Sequence, residues 1–158
     1  MFEQDDSSYI LRQTQHIPCA LSDVFAFFSD AGNLERLTPP LLGFEILTPS
    51  PIDMKSGTVI DYRIRLYGIP LNWKTLIEEV SPEESFVDTQ VKGPYALWHH
   101  THTFAAVDGG TLMNDIVRYR LPLGPLGHLA HSLFVRRTLK TIFDYRRAAV
   151  EEIFSEEK

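Results

Sequence analysis

One cysteine, Cys19, serves the whole chain of 158 residues. No internal disulfide can form, and a multi-cysteine metal site is impossible. No stretch approaches the roughly 20 apolar residues of a membrane span, so stable insertion is not expected. The N-terminal residues are polar and acidic and lack the basic start and apolar run of a secretory leader. The chain is therefore expected in the cytoplasm. Basic residues are outnumbered, 15 against 21 acidic, for a formal charge of -6. The broad positive footprint that a phosphate backbone demands is missing, so nucleic acid is not an expected partner. Repeats and low-complexity runs are absent.

What remains is ordinary globular composition, 44% hydrophobic and 23% charged. A flexible tail is expected over residues 1–8 and a single domain over residues 9–158. Tyr9 to Ile17 alternates as a strand and ends at Pro18. Leu21, Val24, Phe25 and Phe28 recur at helical spacing. Asp30 can cap a second short helix over Asn33 to Leu37, which Pro39 and Pro40 stop. Phe44 to Leu47 reads as an edge strand.

Beyond it the period is two. Ile60, Tyr62, Ile64 and Leu66 share one face, and so do Leu71, Trp73, Thr75 and Ile77 on the next strand. Phe86, Asp88 and Gln90 share a face of a short strand. On the longest strand Trp98, His100, His102 and Phe104 point one way, and this face with its large rings is the candidate interior. Asp108-Gly109 signals a tight hairpin. The return strand turns Thr111, Met113, Asp115, Val117 and Tyr119 inward. A two-residue loop then sets His102 opposite Asp115, His100 opposite Val117 and Trp98 opposite Tyr119. A slip of one residue would turn a whole strand inside out.

The rest is helical, with two apolar stripes. Leu139, Ile142, Phe143, Val150, Ile153 and Phe154 form one. Leu126, Leu129, Ala130 and Leu133 form another, turned to nearly the opposite side. A straight helix cannot aim both at one sheet, so a bend or break is expected near Phe134, or a separate packing partner for the first segment. The basic run Arg136, Arg137, Lys140, Arg146 and Arg147 reads as a solvated helix face, because Glu151 and Glu152 follow it.

This order of elements resembles the helix-grip fold of the SRPBCC, START and Bet v 1-like superfamily, the polyketide cyclase/dehydrase-like proteins. The resemblance runs from about Tyr9 to Phe154. Its motifs are Asn33 to Pro40, Phe86-Val87-Asp88 with Gly93-Pro94-Tyr95, and Trp98 to Phe104. Gly110 to Asp115 and Arg118 to Pro122 complete them, and together they are similar to a bacterial ligand-binding subgroup. The resemblance implies an α+β fold: a curved seven-stranded antiparallel sheet around a long C-terminal helix, with two short helices after the first strand. Similar members also occur joined to a nucleotide-sugar epimerase-like domain, which implies a possible partner of that kind.

The residues themselves suggest a pocket. Tyr62, Trp73, Asp88, Trp98, His100, His102, Phe104, Asp115, Tyr119 and Ile142 are the candidate ligand-binding set. Apolar walls with a few convergent polar groups suit a small hydrophobic or aromatic molecule, as in a carrier, sensor or store. His102 with Asp115 is the candidate catalytic pair, since acid–base chemistry needs an imidazole oriented by a carboxylate. That would make the chain a cyclase, dehydratase or hydrolase. The third reading is an interaction module, self-associating or serving an epimerase-like protein through Leu126, Leu129 and Leu133. His100 and His102 are spaced for chelation, but spacing alone supports it, so no metal or cofactor is expected. His16, His99, His128 and His131 carry no assigned role.

Overall fold

The computed structural model describes residues 1–5 and 7–155. Asp6 of the expected tail and residues 156–158 of the expected terminal helix lie outside them. One antiparallel sheet packs against a long C-terminal helix, a helix-grip α+β fold. Its strands are β1 (Phe2–Asp5), β2 (Ser8–Ile17), β3 (Glu45–Ile46), β4 (Val59–Leu66), β5 (Ile69–Ser81), β6 (Ser85–Lys92), β7 (Leu97–Val107) and β8 (Gly110–Arg120). They lie in the order β1-β2-β8-β7-β6-β5-β4-β3, so the chain's early strand β2 sits beside its last one.

The sheet has eight strands where the sequence reads as seven. The addition is β1, within the expected flexible tail. Its residues lack apolar alternation, so periodicity could not reveal it. Ladder bonding to β2 holds it, with Phe2 opposite Leu11 and Glu3 opposite Ile10. The guanidinium of Arg136 lies 5.3 Å over the Phe2 ring.

Between β2 and β3 runs α1 (Leu21–Phe28), which buries Val24, Phe25 and Phe28. The Asp30 carboxylate then accepts from the Gly32 amide at 2.8 Å and opens a 3-10 turn, Ala31–Leu34. A second 3-10 turn covers Pro40–Leu42. The β7–β8 hairpin has the expected register, with Val107 opposite Gly110, His102 opposite Asp115, His100 opposite Val117 and Trp98 opposite Tyr119.

The terminal helix is one continuous path with an internal change of pitch. It comprises α2 (Gly124–Ala130), a π-helical turn (His131–Val135) and α3 (Arg136–Ser155). The π turn stands where two misaligned stripes demanded a break. Leu126, Leu129, Leu133 and Phe134 are left exposed, while Leu139, Phe143, Val150 and Phe154 on α3 are buried. Burying each such side chain is worth about 1.5–3 kcal/mol. Two inward glutamines on β2 add direction. Gln13 Nε2 donates to the Phe143 carbonyl at 3.2 Å and Gln15 Nε2 to that of Arg147 at 3.0 Å. They fix α3 along the sheet, which decides what its inner face meets.

Candidate functional site

Aromatic residues dominate one end of the space between sheet and helix. The Trp73 ring stacks on Tyr62 with centroids 5.8 Å apart and meets Trp98 edge-on at 5.3 Å. Tyr95, carried in after β6, packs 4.8 Å from Trp98. Gln90 pins Tyr95 by accepting from its amide at 3.1 Å and donating to its carbonyl at 2.7 Å. These rings, with Ile60, Leu71, Leu139 and Ile142, wall a cavity of about 280 Å³. Burial drives the phenols of Tyr62 and Tyr95 upward, so both stay neutral donors. The buried indole Nε1 of Trp73 has no hydrogen-bond partner among the described residues.

A charged cluster forms another part of the wall. Asp88 on β6 lies opposite His100 on β7, and Asp115 on β8 lies opposite His102. The side chains bond on the diagonal instead. His100 Nε2 is 2.8 Å from Asp115 Oδ1, and His102 Nε2 is 2.8 Å from Asp88 Oδ2. The second nitrogens close the circuit. His100 Nδ1 lies 3.8 Å from Asp88 Oδ2. His102 Nδ1 lies 2.9 Å from Asp115 Oδ1, out of line for a hydrogen bond. The imidazole centroids are 3.8 Å apart, and Phe86 stacks on His102 at 4.0 Å. From α3, Arg146 brings Nη2 to within 3.6 Å of Asp115 Oδ1 and lays its guanidinium 5.4 Å over Phe28.

These contacts set the charges. Burial alone would raise the Asp115 carboxyl, but Arg146, the hydrogen bond from His100 and the close His102 ring hold it well below the usual range. Asp88 is lowered too, since His100, His102 and Arg146 outweigh its burial. Burial and the neighbouring His102 lower His100. Burial also opposes charge on His102, yet the adjacent Asp115 carboxylate and the hydrogen bond to Asp88 prevail and raise it. Arg146 and the imidazoles thus face two carboxylates held in their charged form.

Of the expected pocket residues, Tyr62, Trp73, Asp88, Trp98, His100, His102 and Ile142 line the cavity. Phe104, Asp115 and Tyr119 do not. Phe104 is packed among Phe25, Phe28 and Phe86. Tyr119 is fully buried and bonded through its hydroxyl to His131 at 2.8 Å. Asp115 stands behind the imidazoles. Strand parity told which way these three point, but not which neighbour covers them. Asp115 lies against His102, the expected partner, at 2.9 Å, and against His100 as well, to which it is hydrogen-bonded at 2.8 Å. Arg146 went unnoticed inside a basic run. The signal was there: residue 146 is the missing member of the stripe Leu139, Ile142, Phe143, Val150.

Sheet, gripping helix and the cavity between them define the class, the helix-grip proteins of the START and Bet v 1-like superfamily. The chain belongs to the family described as polyketide cyclase / dehydrase and lipid transport, whose profile matches residues 17–143. Among curated proteins no match was found. Solved structures share the fold. TTHA0849 from Thermus thermophilus superposes with a TM-score of 0.73 at 17% identity, over 94% of this chain and 99% of that one. The di-domain ARO/CYC StfQ from the steffimycin biosynthetic pathway gives 0.71 at 13%, over 96% of this chain and 52% of that one. A nucleoside-diphosphate sugar epimerase from Corynebacterium glutamicum gives 0.62 at 24%, over 90% of this chain and 28% of that one. No helix among the described residues is long and apolar enough to cross a membrane.

Proposed function

We propose that this protein binds a small, largely apolar aromatic molecule between its sheet and α3, as a carrier, sensor or store. The supporting observation is the cavity itself: an apolar, ring-lined space of about 280 Å³ with the Asp88–His100–His102 cluster in its wall. Its size narrows the ligand. A cavity of about 150 Å³ holds benzene, so this one suits roughly two rings and not a long acyl chain. The cluster and the neutral tyrosines would orient one polar group, such as a phenol or carbonyl. The test is to purify the protein from cells, unfold it and identify released compounds by mass spectrometry. A one-to-one apolar aromatic compound is the expected result. Empty protein whose tryptophan fluorescence ignores a panel of two-ring phenols and quinones would refute the reading.

A second reading is enzymatic, a cyclase or dehydratase. It is favoured by two carboxylate-oriented imidazoles exposed to the same cavity, the arrangement that acid–base catalysis uses. His102→Gln would then abolish turnover of a bound compound while leaving its binding within a few-fold. The exposed ridge Leu126, Leu129 and Leu133 was the basis for expecting a second copy or an epimerase-like partner. The likeness to the epimerase is one of fold and adds no argument for a separate protein docking there.

A further inference from the structure

Two histidines spaced two apart say little about metals. The sheet supplies what the spacing lacks. Asp88 on β6 faces the same point from the adjacent strand, and one ligand atom from each of Asp88, His100 and His102 lies within 4.8 Å of the others. The nitrogens nearer Asp88 are His100 Nδ1 and His102 Nε2, at 3.8 and 2.8 Å from Oδ2. Ligands held about 2.0–2.2 Å from one tetrahedral ion are about 3.4 Å apart, between those two spacings. Small side-chain rotations would equalise them.

The opposite nitrogens of both rings face a single carboxylate. Asp115 Oδ1 is 2.8 Å from His100 Nε2 and 2.9 Å from His102 Nδ1. A carboxylate behind an imidazole is the usual device that fixes the tautomer and orientation of a metal-bound histidine. Here one carboxylate serves two rings. Asp88, His100 and His102 all line the cavity, so further coordination positions would open onto it. That is the pattern of a reactive site and not of a closed structural one.

We propose that Asp88, His100 and His102 bind one divalent ion of the zinc or ferrous class, with Asp115 as the positioning residue for both imidazoles. Two nitrogens and one carboxylate favour such borderline ions over magnesium or calcium, which take oxygen. Arg146, 3.6 Å from Asp115, balances the outer carboxylate. A doubly charged ion then leaves one positive charge, which a hydroxide or an anionic group from the cavity would neutralise. This proposal does not depend on an apolar ligand, since an ion needs the cluster and not the walls.

The experiment uses tag-free protein stripped with EDTA, titrated with Zn²⁺ by calorimetry and with Co²⁺ by visible absorption. One ion per chain is expected, with Co²⁺ bands of a low-coordinate nitrogen–oxygen site. His100→Gln and Asp88→Asn should each weaken binding at least tenfold. Asp115→Asn should weaken it about 10- to 100-fold, keep the stoichiometry and shift the Co²⁺ bands, which a purely structural role would not do. His99→Gln, on the outer face, should change nothing. A parent that yields only the spectrum of hydrated Co²⁺ overturns the proposal, whatever the variants' folding. So does binding indifferent to both His100→Gln and Asp88→Asn. An apolar dye in the same samples separates the two ideas: dye binding without ion binding sinks only the metal site, and ion binding without dye binding sinks only the apolar-ligand reading.

Discussion

Arg146 occupies a place on α3 where helical spacing calls for an apolar side chain. Its stem lies over Phe28 and its head meets Asp115, so it does the packing work of that place and supplies charge as well. Removing it would strand a buried carboxylate. Arg146→Met is expected to cost about 2–3 kcal/mol in urea unfolding, whereas Arg137→Met, on the exposed side, stays within about 0.5. Counting charges along the chain hid this difference. Counting the stripe would have shown it. His131 makes a second case. It is stacked on Tyr9 with centroids 3.5 Å apart and bonded to Tyr119. Burial, then the charge of Arg136 and neighbouring His128, lower its pKa, so the folded protein holds it neutral. The unfolded chain takes up a proton below about pH 6.5, and this site therefore loses stability as pH falls through that window. His131→Gln keeps an acceptor for Tyr119 but cannot titrate. The stability advantage of the parent over this variant should shrink between pH 8 and pH 5, and a constant difference would refute the assignment.

Strands were the most legible elements, because a half-buried strand must alternate and a tight hairpin must fix its partner. Strand parity alone puts Tyr62, Trp73, Trp98, His100 and His102 on the inner faces. It could not show that Asp88 and Asp115 bond diagonally, since that depends on side-chain reach across neighbouring strands. Nor could it find β1, which is held by backbone pairing with little burial. The start of β8 offers a sharp test at this level. Gly110 has φ of 153°, and a Cβ there would lie 2.1 Å from the Ile17 carbonyl oxygen. Gly110→Ala should destabilise by about 2 kcal/mol or more. Gly109→Asn, at the hairpin tip with φ of 76° and nothing within 4 Å, should be nearly neutral. Equal effects of the two changes would contradict the close approach. The π turn has a similar logic. It separates an outward leucine ridge from an inward stripe, an outcome that phase counting foresaw as a break and the backbone meets by a change of pitch.

At the scale of the molecule, the cavity is space the fold leaves unfilled. Ile142 reaches into it from α3. Ile142→Trp would occupy much of that volume with carbon. Dye or ligand binding should fall at least tenfold while unfolding stability holds or rises, since added contacts replace a void. A variant that binds as well as the parent would place the ligand elsewhere.

The arrangement of the sheet also bears on how the chain is made. β2 pairs with β8, joining Tyr9 to Tyr119 and Ile17 to Thr111. A strand synthesised first must wait for one translated about a hundred residues later, roughly 5–20 s at common elongation rates. During that interval the bonding edge of β2 facing β8 is vacant, and its neighbours in the emerging polypeptide cannot fill it. Assembly should thus be governed by this late, distant union, and nascent chains halted before β8 should be the ones that chaperones retain.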